Sequence, residues 1–384
     1  MTPVSRILCA LLLVAASLTG GAASASTQAS GTLFLIGGAL DDGNAAVYGE
    51  FVRQAGGAQA RIGVLSASSA QPHWSANDAI RILKRYGAGD ATWIPVMIKR
   101  DGSGEDPANA ALASGMTAFF FTGGDQFRYV QTMIRADGSD GAVLAAIRQR
   151  LATGAPVAGT SAGMQIFGGP DMITGGLSYY GVRDGSQPGY FDTDQILGYW
   201  PAGGFNFFRA SGELGLVDTH FDARGRNGRS IRLAADTGHQ RVFGVGEDTA
   251  LIVNGPIMRV VGTNGVSILD LRSAVVGSGS TWSISGVRWS YVVDGDVYHA
   301  DLWSVDKNDL PRIPDERTAM PPTQNVFGSY ELLNAALDLA AAGLSASTTG
   351  TTAETSPQFT VTLTKAAGFA AYTRSFTDLS VAIR

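Results

Sequence analysis

Between Gly31 and Thr160 short apolar runs alternate with stretches whose apolar positions recur every three to four residues. The runs Thr32-Leu33-Phe34-Leu35-Ile36, Arg61-Ile62-Gly63-Val64-Leu65, Ala91 to Ile98, Thr117-Ala118-Phe119-Phe120-Phe121 and Ala155-Pro156-Val157-Ala158 are continuous rather than alternating. Such runs predict strands covered on both faces. Asn44 to Gln54, Ser75 to Tyr86, Pro107 to Ala113 and a long stretch ending at Leu151 predict the intervening helices. The order implies an α/β fold with a largely parallel sheet sandwiched by helices. Ligands in such sheets bind beyond the carboxyl ends of the strands. There the chain has small polar loops: Gly37-Gly38-Ala39, Ser66-Ala67-Ser68-Ser69, Thr122-Gly123-Gly124-Asp125-Gln126 and Thr160-Ser161-Ala162.

Gly168 to Phe208 is rich in glycine and aromatic residues, lacks a period, and predicts loops around a site mouth. Gly215 to Phe221 then predicts a short strand with a polar end, Arg224 to Ala235 a basic helix, and Val242 to Gly246 and Ala250 to Val253 two further strands. Met258 to Trp303 is expected to extend the sheet at one edge. Beyond Ser304 the pattern weakens through Pro311, Pro314, Pro321 and Pro322; Leu344 to Pro357 predicts a Ser/Thr-rich linker. Phe359 to Arg384 predicts strands again. The expected organisation is therefore residues 1–25 as a leader, 30–304 as an α/β domain, and 305–384 as a β-rich C-terminal extension.

The start of the chain changes the chemical picture. Arg6, the apolar run Ile7 to Ala16 and Ala23-Ser24-Ala25 have the order of a secretory signal peptide with an A-x-A cleavage site. Export to a secreted or periplasmic location follows, with no membrane span in the mature chain. The one cysteine, Cys9, lies in that leader, so cleavage leaves no thiol nucleophile, thiolate site or disulfide. The four histidines His73, His220, His239 and His299 are too widely spaced for a zinc motif, and neither a metal nor another cofactor is expected. A net charge of −5 gives no electrostatic footprint for nucleic acid. A core can be built conventionally, since 45% of the residues are hydrophobic.

The candidate chemistry lies in Gly159-Thr160-Ser161-Ala162-Gly163, a G-x-S-x-G pattern at the end of a predicted strand. A sharp strand-to-helix turn tolerates little bulk, which suits the glycines, and would expose the Ser161 oxygen beside the free amides of a new helix. The same pattern can be a glycine-rich turn whose serine caps a helix. A serine nucleophile needs a base held by a carboxylate. His220 is the best candidate base, at a predicted strand end, and Glu247, after the strand Val242 to Gly246, the candidate acid, with Asp248 its neighbouring alternative. Ala162 and the Gly123-Gly124-Asp125 turn, Gly124 in particular, are the candidate oxyanion donors.

Taken together and in order, Gly37-Gly38, Phe121-Thr122-Gly123-Gly124-Asp125-Gln126, Gly159-Thr160-Ser161-Ala162-Gly163, Asp218-Thr219-His220-Phe221 with its following arginines, and Gly246-Glu247-Asp248-Thr249-Ala250 resemble cyanophycinases and their relatives in the S51 serine peptidase family. The resemblance covers Gly31 to Trp303. It implies a fold like that of class I glutamine amidotransferases and a triad of Ser161, His220 and Glu247. It implies hydrolysis of cyanophycin, multi-L-arginyl-poly-L-aspartate, to β-aspartyl-arginine dipeptides, and a homodimer. It also implies substrate contacts at Gln126, Asp218, Thr219, Arg226 and Arg229: arginines suit the polymer's carboxylates and Asp218 its guanidiniums. The chain departs from the family pattern at Thr219, where glutamine is usual, and after Gly175-Gly176, where a glutamate is usual. Two alternative readings are a peptidase of the same family acting on other aspartyl peptides, and a catalytically inactive homologue that binds a peptide or polymer.

Overall fold

The structure, a computed structural model, describes residues 31–208 and 215–384. The expected leader and Cys9 lie outside the described residues. Five parallel strands form one side of a nine-stranded sheet, in the spatial order Leu33–Ile36, Val157–Thr160, Ala118–Phe121, Arg61–Leu65, Asp90–Trp93. Thr249–Asn254, Ile257–Gly262, Val297–His299 and Ser304–Asp306 continue it antiparallel beyond Leu33–Ile36. The fold is thus the expected α/β class, with the serine-bearing strand beside the sheet's central strand.

Strand periodicity explains why both faces are covered. Phe34 and Ile36 point to one face, against Val47, Phe51 and Leu83 of the helices Ala45–Ala55 and Pro72–Arg85. Leu33 and Leu35 point to the other, into a cluster with Phe119, Phe121, Leu144 and Val157. Each such side chain contributes about 1.5–3 kcal/mol on burial. A one-residue register slip would exchange the two sets, so the pairing is well specified.

A second nine-stranded sheet was not expected. Its main path runs Ser347–Thr351, Thr360–Thr364, Phe376–Ile383, Ile284–Val293, Gly265–Asp270, Arg241–Val245, Leu216–Asp218. The segment expected to extend the first sheet is therefore divided, because Gly265–Asp270 and Ile284–Val293 bury both faces. Val266 and Ile268 pack toward the first sheet, while Leu269 and Trp289 pack into a separate core with Ile231 of the helix Asn227–Thr237.

The 305–384 extension completes that separate core. Leu379 pairs with Trp289 across neighbouring strands, and Val361 and Leu363 are buried among residues of the preceding region. The expected linker at 344–357 is corrected: Ser347–Thr351 is a strand, paired Thr348 to Leu363. Its Ser/Thr composition reflects an outer strand. The helix Glu331–Ala341 was not anticipated, although Leu332, Ala336 and Leu339 carry the helical period. Among the described residues no helix is long and apolar enough to cross a membrane.

Candidate active site

Ser161 follows Val157–Thr160 directly and precedes the short helix Ala162–Gln165. Its backbone sits at φ 54°, ψ −121°, a region that non-glycine residues rarely occupy. The elbow is held by Ser161 N–H donating to the Ile36 carbonyl at 3.0 Å. Gly159 and Gly163 lie so close together that a side chain at residue 159 would strike the Gly163 carbonyl. The turn thus presents the Ser161 hydroxyl at the sheet's carboxyl edge, beside the first amides of the helix, which have no intrahelical acceptors.

The other two groups come from the second sheet. His220 lies two residues beyond Leu216–Asp218, and Glu247 two residues beyond Arg241–Val245, in adjacent parallel strands. The sheets meet through His220 N–H to the Gly37 carbonyl, 2.7 Å, and Asp248 N–H to the Gly38 carbonyl, 2.9 Å. The Ser161 hydroxyl is 2.7 Å from His220 Nε2, and His220 Nδ1 is 2.6 Å from Glu247 Oε1. This arrangement fixes the useful tautomer: Nδ1–H donates to Glu247, leaving Nε2 to accept from Ser161. Burial lowers the His220 pKa, the Glu247 bond works against that, and Arg224 and Arg226 lower it further; the net value is below the ordinary histidine range. A neutral imidazole able to take a proton is therefore favoured at neutral pH.

The second candidate acid lies elsewhere. Asp248 accepts from Asp41 N–H, the Asn44 amide and the Thr263 hydroxyl, anchoring the loop after Gly38. The remaining histidines are also away from Ser161: His239 meets Asp171, His299 meets Asp306, and His73 packs edge-on to Trp93.

Of the two glycines expected to frame an oxyanion, Gly123 abuts the serine. A Cβ there would lie 3.1 Å from Ser161 Cβ and 3.6 Å from Oγ, whereas one on Gly124 would collide with the Ser68 carbonyl. Ala162 is buried beside Ser161.

The expected substrate residues divide into two groups. Gln126 and Arg226 have free polar capacity at the site. The Gln126 amide donates to the Ile173 and Thr174 carbonyls, and the residue lines a cavity. Arg226 uses only Nη1 in its bonds to Asp218, Thr219 Oγ1 and the Thr219 carbonyl. Burial and the nearby Arg229 charge lower its pKa to about 9, so it stays charged at neutral pH.

Asp218, Thr219 and Arg229 are buried and bonded within the protein. Asp218 is completely buried and accepts from Arg229 at 2.6 and 2.8 Å, Arg226, Ser230 and Thr219 N–H, which leaves nothing for an incoming guanidinium. Burial alone would raise its pKa; Arg229 and Arg226 outweigh this and hold it below the usual carboxylate range. Arg229 extends from Asp218 to the Gly176 carbonyl at 2.7 Å. Thr219 is buried with its hydroxyl on Arg226.

Beside Gly124 and Gln126 opens a cavity of about 530 Å³, lined in part by Asp125, Asp192, Asp194, Arg128, Tyr190 and Phe191. Three carboxylates against one guanidinium make it acidic. Tyr190 stacks on Phe127, its ring centroid 4.6 Å away, and donates to Asp125 at 2.8 Å. Sequence reasoning missed this cavity, because Gly168 to Phe208 lacks a period. It actually holds the helix Ser178–Asp184 and a small sheet of Met172–Ile173, Leu197–Trp200 and Ser186–Pro188. Gly38, which the sequence places in a strand-end loop, has a further part that the sequence does not show, since its missing side chain makes room for His220: a Cβ there would overlap the imidazole, and its φ is 106°.

Among the described residues no group of three or more His, Cys, Asp or Glu is arranged to hold a metal ion. No family model matches the chain. It is 30% identical over 291 residues to the cyanophycinase of Nostoc sp. (strain PCC 7120 / SAG 25.82 / UTEX 2576), covering 71% of this chain and 87% of that protein. It is 29% identical over 290 residues to the cyanophycinase of Trichormus variabilis (strain ATCC 29413 / PCC 7937), covering 71% and 87%. Among solved structures, a peptidase from an acI-B1 Actinobacterium aligns with TM-score 0.47 at 17% identity, over 63% of this chain and 91% of that one.

Proposed function

Because the chain belongs to the cyanophycinase family of serine-type peptidases, we propose that it is an exported exopeptidase that releases β-aspartyl-arginine from cyanophycin through Ser161, His220 and Glu247. The observation that carries this reading is the unbroken chain of contacts from the Ser161 hydroxyl through His220 to Glu247, 2.7 and 2.6 Å.

Ser161 Oγ attacks the aspartyl carbonyl while its proton passes to His220 Nε2. Glu247 holds the resulting imidazolium, and amides of Ala162 and the Gly123-Gly124 turn receive the oxyanion. Collapse breaks the peptide C–N bond, and the departing amine takes the proton from His220. Water, deprotonated by the same imidazole, then attacks the acyl-enzyme and frees Ser161. Loss of one oxyanion donor typically costs about 3 kcal/mol of transition-state stabilisation.

Charge supports the substrate class. The acidic, aromatic-walled cavity suits an arginine side chain, and Arg226 offers Nε and Nη2 to a backbone carboxylate. Export, supported by the leader pattern, would bring the enzyme to polymer outside the cell.

The test is to incubate the mature protein and Ser161→Ala with cyanophycin granules and identify soluble products by mass spectrometry. Release of β-aspartyl-arginine by the parent alone is expected. Failure of the parent to clear granules, with cleavage of small aspartyl dipeptides instead, would move the substrate to other aspartyl peptides. No cleavage of either would leave the binding-protein reading.

A further inference from the structure

Glu247, the acid of the proposed triad, lies on a crossing between the two sheets. Arg241–Val245 belongs to the second sheet and Thr249–Asn254 to the first, so residues 246–248 carry the chain from one to the other. A second crossing runs back beside it. Ile257–Gly262 lies in the first sheet and Gly265–Asp270 in the second, joined by Thr263 and Asn264. The two crossings are bonded to each other: Gly246 N–H donates to the Gly265 carbonyl at 3.0 Å, and Thr263 N–H to the Asp248 carbonyl at 3.0 Å.

Glu247 falls between these two bonds and outside both strands. Its carbonyl is held by side chains, the Asn264 amide donating at 2.8 Å and the Thr249 hydroxyl at 3.1 Å. Only the nitrogen end of an amide donates, so the carbonyl fixes which way the Asn264 side chain is turned. Asn264 N–H in turn donates to Thr249 Oγ1 at 2.8 Å, which closes a ring of three bonds through the Glu247 carbonyl oxygen. From the same residue, Glu247 Oε1 reaches to 2.6 Å from His220 Nδ1. A backbone free to shift would carry that carboxylate with it, and the imidazole would lose the partner that sets its tautomer.

We propose that Asn264 is a positioning residue of the active site: its side-chain amide pins the Glu247 backbone and so holds the Glu247 carboxylate on His220. The proposal rests on the triad reading above, but its test does not depend on which peptide is cleaved.

The measurement is the rate at which a fluorophosphonate phosphonylates Ser161 with loss of fluoride, followed by intact mass from about pH 4.5 to about pH 8. Asn264→Ala removes the donor, and Asn264→Asp keeps the shape but sets an oxygen against the carbonyl. Each should slow labelling about tenfold. In Asn264→Ala the acidic limb should also move toward lower pH, because the bond to Glu247 raises the His220 pKa against burial and the charges of Arg224 and Arg226. Glu247→Ala should slow labelling on the order of 10³-fold. Adding Asn264→Ala to it should change the rate by less than about twofold, since the amide acts only through Glu247. Asp294→Ala is the control for loosening the same connection: the Asp294 carboxylate accepts from Gly262 N–H at 3.1 Å, and its loss leaves the Asn264 amide in place. That variant should stay within about twofold of the parent with an unmoved limb. Should Asn264→Ala fail to fold, Asn264→Asp carries the rate comparison.

Parental rates in both Asn264 variants would overturn the proposal. So would a slowing that persists in the Glu247→Ala background, or one that appears equally in Asp294→Ala. A parent that does not label, or a Glu247→Ala variant that labels like the parent, would remove the triad and the proposal with it.

Discussion

The two sides of the proposed triad are built from different materials. On the serine side, small residues and backbone bonds set the geometry: Gly159 against Gly163, Ser161 N–H on Ile36, Gly123 against the serine. On the histidine side, buried charge does so, with one carboxylate, Asp218, holding Arg226 and Arg229 directly before His220. Close packing by backbone leaves few alternative arrangements, because there are no side chains to rearrange. A buried ion cluster is directional but unforgiving, since removing one member leaves the others uncompensated. The placement of Ser161 is therefore local in sequence, whereas that of His220 depends on residues as far apart as Gly37 and Glu247.

The largest effect expected from this contrast is at their contact. Gly38→Ala would push a methyl into the imidazole at a positive φ. It should cost about 10²–10³ in kcat/KM with little change in KM, as misplacement of a catalytic group by about 1 Å does. Parental kcat/KM in this variant would mean that the base has room to move and is not held by the first sheet.

Next is the ion cluster. Asp218→Ala leaves two guanidiniums buried without their carboxylate and should destabilise by about 3–5 kcal/mol. Chemical denaturation reads this, and a loss below about 1 kcal/mol would show that the cluster behaves like a surface ion pair.

A smaller effect, separable by pH, is expected at Asp222. Burial raises its pKa to about 7 and the hydrogen bond from Ser267 only partly offsets this. The native state thus keeps a proton that the unfolded chain releases near pH 4. Stability falls as pH rises from about 4 to about 7 and is level above. Asp222→Asn should abolish that slope and gain on the order of 1–2 kcal/mol at pH 7.5, read by thermal melts at several pH values. An unchanged slope would place the titration in another group.

What was legible follows the same division. The parallel half was readable because its strands are continuous apolar runs and its helices hold their period, and the serine elbow because five adjacent residues encode it. Glu247 and His220 were readable as strand-end polar residues. The internal pairing of Asp218, Thr219 and Arg229 was not, since a sequence shows which groups attract but not which are already paired. The extension was hard to read for another reason: Ser347–Thr351 and Thr360–Thr364 are mostly threonine and serine, and only pairing in the second sheet makes their alternation meaningful. Nothing in the sequence connects Tyr330 to Asp222, 108 residues earlier, because the link is a backbone bond.

In the proposed mechanism, residues from two sheets form one catalytic unit. It is tested most directly by comparing kcat/KM for release of β-aspartyl-arginine by Ser161→Ala, His220→Ala and the double variant. Groups that act as a unit are non-additive. Each single substitution should cost about 10⁴-fold or more, and the double variant about the same as either alone. Costs that multiply in the double variant would contradict the account, because Ser161 and His220 would then contribute independently.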